Sequence, residues 1–249
     1  MILLVVFALG FFWAALSKVY YRVKYALRLS EVPRCDRSGG RLRSATVADL
    51  ASIARLQKIE YPDDAVPEDV YRSWFKANPE GFFVLEVEGE VVGHITFLSF
   101  RKDAFAKYLQ GHLLETQLDG SDLITPREKN ELMTHLYVES VISTKRRSVM
   151  FFEAISRRMD AMVKICGPRD LSMLEHVYCM AATDEGKGLV SGFPFSIVSN
   201  ASDRRDKHDM YRADFGEFMA RFSELEIRFE VREIRDANRL ALESQAAAS

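Results

Sequence analysis

The sequence predicts an α/β domain, a sheet flanked by helices, placed behind a single apolar N-terminal helix. Three observations carry this reading. The chain opens on an uncharged apolar run from Met1 to Ser17. Its middle holds a hairpin pattern, Phe82-Phe83-Val84-Leu85-Glu86-Val87 and Val91 to Leu98, about the turn Glu88-Gly89-Glu90. A strand rich in β-branched and aromatic residues, Leu132 to Ser143, then precedes a strongly amphipathic helix from Arg147 to Ile165.

The first element is read from its length and its flanks. As a helix, Met1 to Leu16 rises about 1.5 Å per residue, roughly 25 Å in total, close to a bilayer core. Tyr20 and Tyr21 suit the headgroup level, and Lys18 can snorkel outward. Lys18, Arg22, Lys24 and Arg28 all precede the first acid, Glu31, and by the positive-inside rule they put the C-terminal domain on the cytoplasmic side. The expectation is a single-pass membrane protein with residues 1–24 as anchor. A cleaved signal peptide ending near Ala14-Ala15-Leu16-Ser17 is the alternative, although such peptides carry their basic residues before the apolar run. Residues 25–41, with Pro33, Gly39 and Gly40, have linker composition.

The domain is expected over residues 42–215. Thr46 caps a helix whose apolar positions Val47, Leu50, Ile53, Ala54 and Leu56 recur with helical period. A second helix runs from Glu68 to Asn78 and closes at Asn78-Pro79-Glu80-Gly81. After the hairpin, Arg101 to Ile124 is irregular and reads as an inserted loop with helical pieces, and Pro126 begins a helix entry. Leu171 to Ala181 is a further strand, and Thr183 to Ser191 a short helix. The appendage, residues 216–249, reads two ways, of which a last strand leading into a helix is the one expected. Leu225, Ile227, Phe229 and Val231 alternate as in a strand leading to a helix from Ile234, while Phe218, Phe222, Leu225 and Phe229 fit a helix face.

Composition narrows the function. A formal net charge of −2 gives no basic surplus for a nucleic-acid partner. Cys35, Cys166 and Cys179 are odd in number and widely spaced, and read as reduced thiols. His94, His112, His135, His176 and His208 are scattered singly, so no metal is expected. There is no G-x-S-x-G elbow, no phosphate loop and no H-E-x-x-H.

Four stretches carry a family resemblance. Leu42 to Leu50 resembles the first strand and helix start of the GNAT N-acyltransferase superfamily, and Val87 to Ile95 its second and third strands. Leu136-Tyr137-Val138-Glu139-Ser140-Val141-Ile142-Ser143, followed by Thr144-Lys145-Arg146-Arg147, resembles the fourth strand and the turn into the cofactor-binding helix. Gly186 to Phe193 resembles the short helix that precedes the last strands. The resemblance implies a mixed, mostly antiparallel sheet whose two parallel strands splay around a pantetheine arm. It also implies an acyl-CoA or acyl carrier protein thioester as donor and a small amine, such as an amino acid or amino lipid, as acceptor.

The same resemblance distributes the roles. Val141, Ile142 and Ser143 would face the donor, and Lys145, Arg146, Arg147 and Ser148 would meet its phosphates. This turn has no glycine, whereas the family's usual turn has small residues that let phosphate approach the backbone. His135, Tyr137 and Glu139 alternate and share one strand face, with Glu139 the candidate general base. The family's tyrosine acid is missing, Gly188 standing near its place, so Tyr178 and Tyr211 are its substitutes by proximity in the expected fold, and Tyr137 is a candidate from the face it shares with Glu139. A catalytically degenerate binding or scaffold module is the alternative to an enzyme.

Overall fold

The computed structural model describes residues 40–125, 128, 132–143, 155 and 173–225. Strand β1 (Gly40–Ser44) starts slightly before the expected Leu42. At its end Asp49 organises the helix start: its carboxylate accepts from the Thr46 N–H and hydroxyl at 2.7 and 2.8 Å, and from Arg43 at 2.7 and 2.8 Å. The Arg43 guanidinium beside it holds the Asp49 carboxyl well below the usual carboxylate range. The expected first helix thus enters as a 3-10 turn, Val47–Asp49, and continues as α1 (Leu50–Glu60). Helix α2 (Glu68–Ala77) comes next.

The hairpin forms as expected from β2 (Phe82–Val87) and β3 (Glu90–Leu98). Its connection is two residues long, Glu88 at φ 53° and Gly89 at φ 82°, both left-handed as a type I′ turn requires. Between β3 and β4 (His135–Ser143) lies the inserted segment. It contains α3 (Lys102–Leu109) and 3-10 turns at Glu115–Gln117 and Gly120–Asp122. After β5 (His176–Met180) come α4 (Asp184–Ser191), β6 (Ser196–Ser199) and β7 (Met210–Asp214). A helix over 215–225, α5, continues directly from β7.

The seven strands form one sheet in the order β1-β2-β3-β4-β5-β7-β6. Every neighbouring pair is antiparallel except β4 and β5. This is the arrangement that the resemblance implies. One face buries Leu42, Phe83, Ile95, Phe97 and Val177 against Phe218 and Phe222 of α5. The other buries Tyr71 and Trp74 of α2 with Phe82, Phe100, Tyr108 and Tyr137. The insert is sewn onto this second face. Trp74 Nε1 donates to the Leu118 carbonyl at 3.2 Å, and Ser73 Oγ accepts from the Gly120 N–H at 2.6 Å.

Two expectations change. The tail is helical through Leu225 instead of extended from that residue, because Phe218 and Phe222, four apart, both sink into the core. The single-pass membrane localisation is also corrected: among the described residues no helix is long and apolar enough to cross a bilayer. The run 1–24 from which that expectation came lies outside the described residues. So do the linker up to residue 39, the entry at Pro126, the basic turn after Ser143, and residues beyond 225. Of the expected long helix, Ile155 alone is described; it is helical and buried.

One close approach tests the packing between α2 and the sheet. A Cβ on Gly81 would lie 2.2 Å from the Phe97 carbonyl oxygen and 2.7 Å from Asn78 Nδ2. Gly81→Ala should therefore cost about 1–3 kcal/mol, as overpacking does, lowering the thermal midpoint by about 2–4 °C per kcal/mol. Calorimetry checks this; an unchanged midpoint would show that the backbone there yields freely.

Candidate functional site

The sheet opens at one residue. Parallel pairing of β4 with β5 ends at Val138↔Cys179, so Glu139 is the first residue of β4 beyond β5's reach. On its other side β3 pairs Phe97 with Val138 and Thr96 with Ser140, skipping Glu139. Glu139 is thus the extra residue of a β-bulge, a device that re-aims side chains and bends a strand. Before the bulge the odd residues His135 and Tyr137 face the α1, α2 and α3 side; after it Ile142 does. Glu139 and Ser140, at the inversion, both turn to that side.

Three groups hydrogen-bond the Glu139 carboxyl. Tyr71 Oη donates to Oε1 at 2.6 Å and Gln57 Nε2 to the same oxygen at 3.1 Å. Ser140 Oγ donates to Oε2 at 2.5 Å. While Glu139 is ionised Ser140 gives it its proton, so His94 Nδ1 at 3.3 Å donates to Ser140 Oγ and His94 Nε2 is left a bare acceptor. Buried and without a hydrogen-bond partner, that nitrogen shares its condition with Thr96 Oγ1. Burial keeps His94 neutral by pushing its titration down to about 3. Burial likewise raises Glu139, to about 7, against the hydrogen bonds from Ser140, Tyr71 and Gln57, which favour the charged form.

A cleft of about 330 Å³ opens from this point. Val138, Glu139, Ser140 and Val141 form one wall, and Cys179 to Thr183 the other, where β5 runs out. The start of α4, with Thr183 Oγ1 capping the Gly186 N–H at 3.1 Å, closes one end, and Tyr61 from the α1–α2 connection also lines it. The Cys179 thiol in this wall is buried, which raises its titration and keeps it protonated.

The residues expected from the sequence divide. Glu139 and Val141 line the cleft. Ile142 is buried on the opposite side of the strand from Val141, and Ser143 is buried at the end of β4. Tyr137 shares the face of Glu139 but is fully buried, its hydroxyl donating to Glu115 Oε1 at 2.8 Å and lying 2.7 Å from Tyr108 Oη. His135 is a packing residue: its Nε2 accepts from the Phe100 N–H at 3.1 Å, and its ring stacks on Phe105 at 3.9 Å. Tyr178 lines a separate surface depression with Arg212 and His112. Lys145, Arg146, Arg147 and Ser148 lie outside the described residues.

Three residues near the site carry no signal in the sequence: Tyr61, Ser140 and Glu115. Tyr61 sits in a loop without periodicity, and Ser140 counts as facing away until the bulge turns it. Glu115 belongs to the insert. Burial drives its carboxyl well above the usual range, and the charge of Glu139 raises it further, against hydrogen bonds from Tyr137 and Tyr108.

No protein-family model matches the chain, and no curated protein matches it. Among solved structures it is similar to Ard1 from Thermoplasma volcanium, at 17% identity and TM-score 0.42 over 71% of this chain and 97% of that one. It is similar to the loading GNATL domain of CurA from Lyngbya majuscula, at 16% identity and TM-score 0.43 over 70% and 97%. A third likeness is to Arabidopsis thaliana Naa50 in complex with the bisubstrate analogue CoA-Ac-MVNAL, at 12% identity and TM-score 0.44 over 71% and 99%. At these identities the likeness concerns fold alone.

The carboxyl geometry gives a titration test. Tyr71→Phe removes a donor to the charged form, so the Glu139 midpoint should move upward from about 7, as read by carbon NMR of the glutamate carboxyls. An unmoved midpoint would reduce Tyr71 to packing. Stability has the same sign. With its folded midpoint above the ordinary 4.5, Glu139 lowers stability as pH rises from about 4.5 to 7. Glu139→Gln should therefore gain thermal midpoint relative to the parent between pH 5 and pH 8.

Proposed function

We propose that the chain is an N-acyltransferase that moves an acyl group from a thioester donor, acyl-CoA or an acyl carrier protein thioester, to an amine. One observation carries the reading: a carboxyl titrating near 7 stands where the two parallel strands part, in the wall of a cleft of about 330 Å³. A general base works best with a midpoint near the operating pH, and the bulge with its buried surroundings supplies one.

In this reading the neutral amine attacks the thioester carbonyl carbon from the α1–α2 side. The N–C bond forms, the C–S bond breaks, and sulfur leaves with the bonding pair. Glu139 takes the proton that the amine nitrogen loses, directly or through a water beside it. Burial lifts Glu139 above ordinary carboxylates and so makes it a stronger base than an exposed glutamate. The departing thiolate takes a proton from the Tyr61 phenol, which lines the same cleft and replaces the phenol absent at Gly188. The products are an amide and a free thiol. Lys145, Arg146 and Arg147, next along the chain from β4, supply the charge, and Ser148 a hydroxyl donor, for the donor's phosphates or for the acidic surface of a carrier protein.

The test monitors free-thiol release from acetyl-CoA, long-chain acyl-CoA and acyl carrier protein thioesters with a panel of primary amines. Turnover is expected with an acid limb near pH 7, and Glu139→Gln should lower kcat/KM by about 10²–10⁴-fold, the usual worth of a general base. Absence of release with every donor, or release indifferent to Glu139→Gln, overturns the reading.

A further inference from the structure

The inserted segment between β3 and β4 carries a second carboxyl to the face from which the acceptor would approach. Glu115 begins a short 3-10 turn after α3, and its Oε1 accepts from Tyr137 at 2.8 Å and from Tyr108 at 3.3 Å. Tyr71, which hydrogen-bonds Glu139, feels the charges of both glutamates. Tyr71 and Tyr137 thus each hold one carboxyl, on one face of the sheet, and among the described residues the donors that hold these two carboxyls are all neutral. The nearby guanidinium, Arg204, is spent on Asp206 at 2.5 and 3.0 Å and on the Tyr108 and Leu109 carbonyls.

Beside this pair lie two orphaned polar atoms. His94 Nε2 and Thr96 Oγ1 are fully buried and have no hydrogen-bond partner. The Thr96 hydroxyl is close enough to Glu139 to favour its charged form. Buried polar atoms are nearly always satisfied, so two bare ones beside two uncompensated carboxyls mark a place where a polar group is meant to sit.

We propose that Glu115 and Glu139 form a two-carboxyl acceptor site, so that the acceptor is a primary amine that enters as its ammonium and is held between them. The proposal rests on the acyltransferase reading and names the acceptor class for it. An alkylammonium offers three N–H donors and one positive charge. It satisfies one oxygen of each carboxyl and replaces the proton that two neighbouring buried carboxyls otherwise retain. Glu139 then removes the proton that frees the nitrogen lone pair and releases it to water before it takes the second N–H proton during acyl transfer, while Glu115, anchored by Tyr137 and Tyr108, keeps the amine in place. Tyr137 becomes a positioning residue. The groups facing the pair are Gln57 of α1, Tyr71 of α2, His94 and Thr96 of β3, Tyr108 of α3, and Tyr137 and Ser140 of β4, with the Arg204–Asp206 pair behind Tyr108.

Two measurements on the full chain separate this from the reading beneath it. The first needs no turnover: glutamate carboxyls are titrated by carbon NMR with and without n-butylammonium, and with tetramethylammonium as a cation lacking N–H donors. Butylammonium should lower both midpoints in the parent, tetramethylammonium should leave them, and Glu115→Gln should abolish the response. The second is kinetic. Glu115→Gln should raise KM for a primary alkylamine by ~10–100-fold, the loss of one hydrogen bond to a charge, with kcat nearly kept, and should leave an arylamine that is neutral at pH 7 unaffected. Tyr137→Phe, which frees Glu115 without removing it, should raise the same KM by less. Carboxyls indifferent to butylammonium, or a Glu115→Gln defect equal for charged and neutral amines, overturn the acceptor site. Butylammonium binding without thiol release from any donor would instead uphold the site and sink the transferase.

Discussion

A bulge on one strand and the end of its pairing with the next fall on the same residue, and the rest of the site depends on that coincidence. Had β4 left β5 one position later, Glu139 would still be locked beside β5 and the cleft would begin beyond it. Without the bulge, Ser140 would face the opposite side and the carboxyl would lose its shortest hydrogen bond. Backbone geometry thus decides which side chains meet, and burial then sets their protonation. The three hydrogen bonds to Glu139 oppose burial and hold its midpoint at about 7.

The face that receives Glu139 is covered unevenly. Helices α1 and α2 contribute Gln57 and Tyr71, as any helices packed on a sheet can contribute polar residues at their inner edge. The insert contributes aromatic bulk and one acid. Phe100, Phe105 and Tyr108 surround His135 and Tyr137 and turn what a strand pattern marks as polar cleft positions into a packed interior. The same insert therefore brings a second carboxyl, Glu115, to the face that Glu139 shares.

Much of this is legible in the residues. The hairpin is plain because alternation and a Glu-Gly turn agree, and Glu139 stands out as an acid in an otherwise apolar and aromatic strand. The bulge is not legible: nothing between His135 and Ser143 distinguishes an extra residue from a regular one, since bulging depends on the partner strand's register. Glu115 is invisible for a related reason. It comes after a loop without period, and its burial arises only because Trp74 and Ser73 draw the later turns of the insert onto α2. The tail is ambiguous in sequence because phenylalanines spaced by four also leave room for a strand further on, and packing against the core resolves it as far as Leu225.

Arg204 fastens the insert to the β6–β7 connection. Its side chain is buried, paired with Asp206, and bonded to carbonyls of Tyr108 and Leu109, while a Cβ on Gly111 would lie 2.6 Å from Arg204 Cα. Shortening the insert would strip the buried guanidinium of two carbonyl acceptors while leaving it Asp206, at a cost of about 1.5–3 kcal/mol for each hydrogen bond to a charge. The two loops are therefore one heritable unit although nearly a hundred residues separate them in the chain. Any lineage, or any engineer, that wishes to exchange the insert must trade both loops together or neither.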